Sequence, residues 1–89
     1  MNDDIKNAVD YIARSIRNNE IIAVKELYVT PSTSSGESIG NVLREESVTD
    51  ICKHVMDYAN QPNSAISNRY EFADVVERAV AVRDYNRRY

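Results

Sequence analysis

Cys52 and His54 are the only cysteine and the only histidine among 89 residues. A thiol beside an imidazole is a pairing used in nucleophilic catalysis, where the imidazole takes the proton and leaves a thiolate. Here the two residues stand two apart in a run, Val48 to Ala59, with a helical period. Two steps along an α-helix turn a side chain by about 200°. The nucleophile and the only imidazole base therefore face opposite ways, and only a second copy of the chain could bring such a pair together.

The neighbouring carboxylates suggest two further chemistries. Asp50 precedes His54 by four residues and Asp57 follows it by three, so all three share one helix surface and could offer ligands to a cation. Tight transition-metal sites use more His and Cys than this chain owns, so no metal and no cofactor is expected. Glu45, Glu46 and Asp50 read as acidic residues gathered at a helix start rather than as a catalytic pair. Cys52 falls on an apolar stripe and His54 on the opposite, wet face. The expectation is a chain with no catalytic residue of its own.

The most unusual composition lies at the end, Arg83-Asp-Tyr-Asn-Arg-Arg-Tyr89. Arginines near a helix C-terminus complement its dipole. That does not account for Tyr85 and Tyr89, four residues apart. Tyr and Arg together are the residues that concentrate binding energy at protein interfaces. Arg83, Tyr85, Arg87, Arg88 and Tyr89 are therefore the expected partner-binding residues, with Arg83 in support.

Charge narrows the choice of partner. Net charge is −3, from 11 cationic and 14 acidic side chains. Residues 1–30 hold four cations against five anions, residues 31–60 two against five, and residues 61–89 five against four. No stretch has the cation density that phosphate backbones select. The helix pair at 37–46 and 48–60 resembles a helix-turn-helix in spacing. Its second helix would present Thr49, Asp50, Lys53, His54 and Asp57 to the groove, two carboxylates against one lysine, which is poor for DNA affinity. Nucleic acid, through that pair or the C-terminal turn, is the weaker alternative.

The start, Met-Asn-Asp-Asp, has neither the basic residues nor the apolar run of a secretory leader. No stretch approaches the ~20 apolar residues of a membrane span. One cysteine cannot form an internal disulfide. A cytoplasmic protein without membrane contact is expected.

The elements that must position these residues follow from periodicity. Ile5, Ala8, Val9, Ile12, Ala13 and Ile16 form one stripe of a first helix, capped by Asn2 or Asp3 and stopped near Asn18-Asn19. Glu20 to Val29 reads as a short helix, although its alternation also fits a strand. Thr30 to Gly36 is a small, polar loop whose Ser32 to Ser35 form a flexible connector rather than a phosphate cradle. Glu37 to Glu45 is a short helix with Ile39, Val42 and Leu43 inward and Gly40 weakening it. Ser47-Val-Thr-Asp50 resembles a capping box. The stripe behind it is Val48, Ile51, Cys52, Val55, Met56 and Ala59. Asn60 to Ser64 ends that helix. Asn68 and Glu71 cap the last one, whose buried face is Phe72, Val75, Val76, Ala79 and Val80. Tyr11, Tyr28, Tyr58 and Tyr70 sit at the margins of these stripes, where a ring can bury and a hydroxyl stay wet.

The expected fold is all-α, a single domain of four or five short helices. Ala73 and Val82 are apolar beyond the last helix's buried face, and this excess suggests a homodimer or a docking surface. The expected function is a non-enzymatic protein-binding regulator or inhibitor, of the kind a phage or mobile element encodes to act on a host complex.

Overall fold

Capping and periodicity account for the helices of the computed structural model, which describes residues 3–18 and 39–88. The expectations for Asn2, for 20–29, for the loop at 30–36 and for Tyr89 lie outside the described residues. Four helices are present among them: α1 (Asp3–Arg17), α2 (Ile39–Leu43), α3 (Val48–Ala59) and α4 (Arg69–Arg88). They pack as an all-α bundle.

Helix α1 buries Ala8, Val9, Ile12 and Ala13, with Ile5 and Ile16 partly covered, as the stripe predicts. Helix α3 starts at Ser47, whose Oγ accepts the Asp50 N–H at 3.0 Å. Helix α4 starts at Asn68, whose Oδ1 accepts the N–H groups of Tyr70 (2.9 Å) and Glu71 (3.0 Å). The Glu71 carboxylate reaches back to accept the Ser67 hydroxyl and the Ser67 N–H, the latter at 2.8 Å. These two bonds, hydroxyl first, hold its carboxyl below the usual glutamate range. Each cap satisfies N–H groups that the first helical turn leaves without partners.

The core-facing side of α3 differs from the expected stripe. Ile51, Val55 and Tyr58 are buried, whereas Val48 and Met56 are exposed. Relative to the expectation, α3 is rotated by roughly 60° about its axis, at 3.6 residues per turn. Burying Tyr58 removes a larger surface from water than burying Met56 would, and partners await its hydroxyl. The rotation turns His54 inward to a half-buried position and leaves Cys52 half-buried on the other flank. His54 is therefore not a solvated residue on a wet face.

Helix α4 buries Val75, Ala79 and Val82, and Phe72, Val76 and Val80 are partly covered. Val82 is fully buried, so it supplies no surplus apolar surface; Ala73 is exposed. Helix α4 is the common wall of the bundle, packing on α1, α2 and α3. Its C-terminal turns reach the chain just before α3, and its first turn lies beside the end of α3. The two helices are antiparallel. Helix α1 runs parallel to α3, since Asp10 meets Tyr58 and Arg17 meets Ala65. Gly40 of α2 is buried, and the absence of a side chain there lets a five-residue helix lie close against its neighbours.

Candidate interaction surface

Helix α3 has two flanks with opposite characters. On the α1 side its polar groups are all committed. The Tyr58 hydroxyl donates to Asp10 Oδ1 at 2.6 Å and accepts the Ala65 N–H at 2.9 Å. Burial, then the bond to Asp10, pushes the Tyr58 hydroxyl above the ordinary tyrosine range, against the opposing pull of the Ala65 N–H. Arg14 Nε donates to both Asp10 oxygens, and its Nη2 donates to the Asn63 carbonyl at 3.2 Å. Arg17 Nη1 donates to the Ala65 carbonyl at 2.7 Å. Arg14 and Arg17 thus do more than complement the α1 dipole: they hold the α3–α4 loop against α1.

A second clasp closes the other end of the bundle. The C-terminal carbonyls of a helix lack partners, and α2 is too short to supply its own. Arg87 Nε donates to the Arg44 carbonyl at 2.7 Å, and its Nη2 donates to the Glu46 carbonyl at 3.3 Å. Arg83 Nη1 donates to the same Glu46 carbonyl at 3.1 Å, while Nε and Nη2 hold the Asp84 carboxylate. Arg83 is 8% exposed, so it acts from inside the fold and offers no open guanidinium to a partner. Arg87 is exposed but tied, and Tyr85 is half-buried. Arg88 ends α4.

The Glu46 carboxylate also lies against His54, Oε1 to Nε2 at 3.0 Å, and accepts from the imidazole in its Nε2–H tautomer. This contact replaces the expected solvated Glu46 and solvated His54. The turn at 44–47 folds residue 46 back over the first turns of α3. Asp50, His54 and Asp57 do not gather, and among the described residues no group of three or more His, Cys, Asp or Glu side chains could hold a metal ion. Among them, too, no helix is long and apolar enough to cross a membrane.

The outer flank of α3 is the contrast. Val48, Cys52 and Met56 stand at intervals of four residues along it. Phe72, Val76 and Val80 stand at the same interval along the adjoining flank of α4. All six are half-buried or exposed. At the loop end this seam opens into a groove of about 340 Å³ lined by Met56, Ala59, Ile66, Arg69 and Phe72 with Asn60, Ser67 and Asn68. Met56 is 54% exposed, Tyr70 69% and Val48 47%, and these are the large hydrophobic side chains most open to solvent among the described residues. The Arg69 guanidinium lies 5.3 Å from the centre of the Tyr70 ring, a cation–π distance.

No protein-family model, curated protein or solved structure matches this chain. The surface is therefore read from its own residues.

The sequence pointed to the C-terminal turn and passed over the seam. The signal for the seam was present in the four-residue spacing of Val48, Cys52 and Met56. The same spacing also fits a core stripe, and only the burial of Tyr58 turns it outward.

Proposed function

We propose that this chain is a non-enzymatic protein-binding module, of the regulator or inhibitor kind, that meets its partner along the α3–α4 seam. The observation that carries the reading is the exposure of Met56 at a groove lined by Ile66, Arg69 and Phe72. An apolar strip left open on an otherwise well-capped bundle is the usual mark of an interaction face. Met, Tyr and Arg are residue types enriched at such faces. The C-terminal turn contributes exposed Arg87 and half-buried Tyr85, with Arg83 fixing that turn from beneath. The alternative, contact with nucleic acid through the 39–59 helix pair, is supported on the exposed side of α3 only by Lys53.

Site-specific photo-crosslinking in the native host tests the reading. A photoreactive residue at position 56 or 69 is expected to trap a protein, whereas one at Lys6, exposed on α1, is not. Adducts at 85 and 87 with none at 56 or 69 would move the surface to the last turn of α4.

A further inference from the structure

The open seam is cationic on an acidic molecule, and that contrast points to its occupant. At about 100° per residue, Arg69, Arg83 and Arg87 all fall within the arc of α4 that Phe72, Val76 and Val80 span. The carboxylates of α4 do not. Asp74 and Glu77 line a cavity beside Ile16, on the flank toward α1. Glu71 is engaged with Ser67, and Asp84, at the margin of the arc, is held by Arg83. On α3 the charge nearest the Val48–Cys52–Met56 line is Lys53, about 60° round from Met56, while Asp50 and Asp57 lie about 100° or more away. The whole chain carries a net charge of −3, yet the strip is bordered by cations.

Three exposed cations stand along the seam, one at each level. Because α3 and α4 are antiparallel, Arg69 lies at the groove with Met56 and Phe72, Lys53 at mid-length near Cys52 and Val76, and Arg87 at the far end beyond Val48 and Val80. Lys53 and Arg69 have no ion pair among the described residues. Arg87 is bonded to carbonyls, which leave its charge uncompensated. Phosphate backbones select denser rows of cations than three spread over ~27 Å, the rise from Arg69 to Arg87. Apolar side chains edged with carboxylates match both the strip and its border, and the groove between two helices receives such a row most directly from a third helix. We propose, on the reading of the seam as the binding face, that its partner presents an acidic amphipathic helix. Its apolar residues, at three- and four-residue spacing, cover the strip, and its Asp or Glu side chains meet Arg69, Lys53 and Arg87. Met56 and Phe72 supply the apolar anchor, while the cations set the register and repel basic helices.

Two peptides of about 18 residues, long enough to reach from Arg69 to Arg87, test the charge of the partner. Both carry leucines at helical spacing; one has glutamates at the flanking positions and the other has lysines. Binding to the full chain is read by amide chemical shifts and by calorimetry. The glutamate peptide is expected to bind about tenfold more tightly than the lysine peptide, to weaken with added salt, and to shift Met56, Ile66 and Phe72. Arg69→Glu and Lys53→Glu should each weaken it by about three- to tenfold, and the double variant R69E/K53E should prefer the lysine peptide. Far-UV circular dichroism and urea midpoints of these exposed-site variants should match the wild type, so any loss reports the interface and not the fold. Equal binding of the two peptides, tighter binding of the lysine peptide, or shifts confined to α1 overturns the acidic helix. So does an oligothymidylate that displaces the glutamate peptide from the seam. Failure of both peptides to bind overturns it too, and the photo-crosslink at position 56 then tells which reading has failed. A protein trapped there while neither peptide binds keeps the binding face and removes the acidic helix. No adduct at 56 or 69 removes both.

Discussion

The two flanks of α3 end in opposite states. Toward α1, Tyr58 is buried and its hydroxyl is bonded on both sides, with Asp10, Arg14 and Arg17 completing a network across to the loop. Toward the outside, Met56 and Val48 remain open and Cys52 half-open, with no polar network about them. The first flank stabilises the molecule. The second adds little to stability, and what it leaves uncovered is available for association. One helix thus divides maintenance of the fold from contact with a partner.

The division can be broken most severely from its closed side. Tyr58→Ala removes a buried ring and leaves the Ala65 N–H without its partner, and should cost about 3–5 kcal/mol in a urea titration. Tyr58→Phe keeps the ring and should cost about 1–3 kcal/mol, so the difference isolates the hydroxyl. If both variants lose the same amount, the network contributes nothing beyond packing. At the other end of the bundle, Arg83→Met keeps much of the apolar stem but leaves the Glu46 carbonyl with only the longer Arg87 bond. It should cost about 1.5 kcal/mol, the low end of the range for hydrogen bonds to charged groups, because Arg87 still donates to that carbonyl.

Acid and alkali act on the same side of the molecule. The Glu71 carboxyl is lowered in the folded state, so its contribution is present above the unfolded glutamate range. It is lost as pH falls through the folded value. The Tyr58 hydroxyl is raised, so its contribution is intact below the unfolded tyrosine range and is lost as pH rises through the folded value. Thermal melts should therefore show a plateau flanked by two declines. Glu71→Gln should flatten part of the acid limb and Tyr58→Phe part of the alkaline one. An unchanged acid limb in the Glu71 variant would detach the cap from the pH response.

The open side should respond least. Met56→Lys is expected to change stability by no more than about 0.5 kcal/mol, as exposed substitutions do. Its effect belongs to association. A large loss of stability in the monomer would show that the seam is part of the core after all.

How legible this was depends on what each residue answers to. Ser47, Asn68 and Glu71 act within one helical turn, and their roles could be read directly from spacing. The α1 stripe was equally plain, since Ala8, Val9, Ile12 and Ala13 have few competitors for burial on that helix. Helix α3 carries apolar residues around more than half of its circumference, so periodicity alone left its rotation open. What decides it is Asp10, 48 residues away, which accepts the Tyr58 hydroxyl. Arg83 and Arg87 failed to read as clasps for the same reason: their targets are backbone carbonyls at Arg44 and Glu46, which carry no sequence signal. Glu46 and His54 met because a turn folds back, and turns of that kind are invisible to a helical period. Val82 lies beyond the stripe that periodicity marks on α4, yet it is fully buried, because α4 is covered by three helices rather than one.

Helix α4 touches each of the other three helices, and it is the last of the four to be synthesised. On the ribosome, α1 and α3 emerge with their apolar stripes made but without the wall they close against. Their pairing with α4 joins residues far apart in the chain, a slow class of contact. The bundle is thus assembled after its parts have been exposed for a time, and a nascent chain halted before Arg69 would present those stripes to chaperones and proteases.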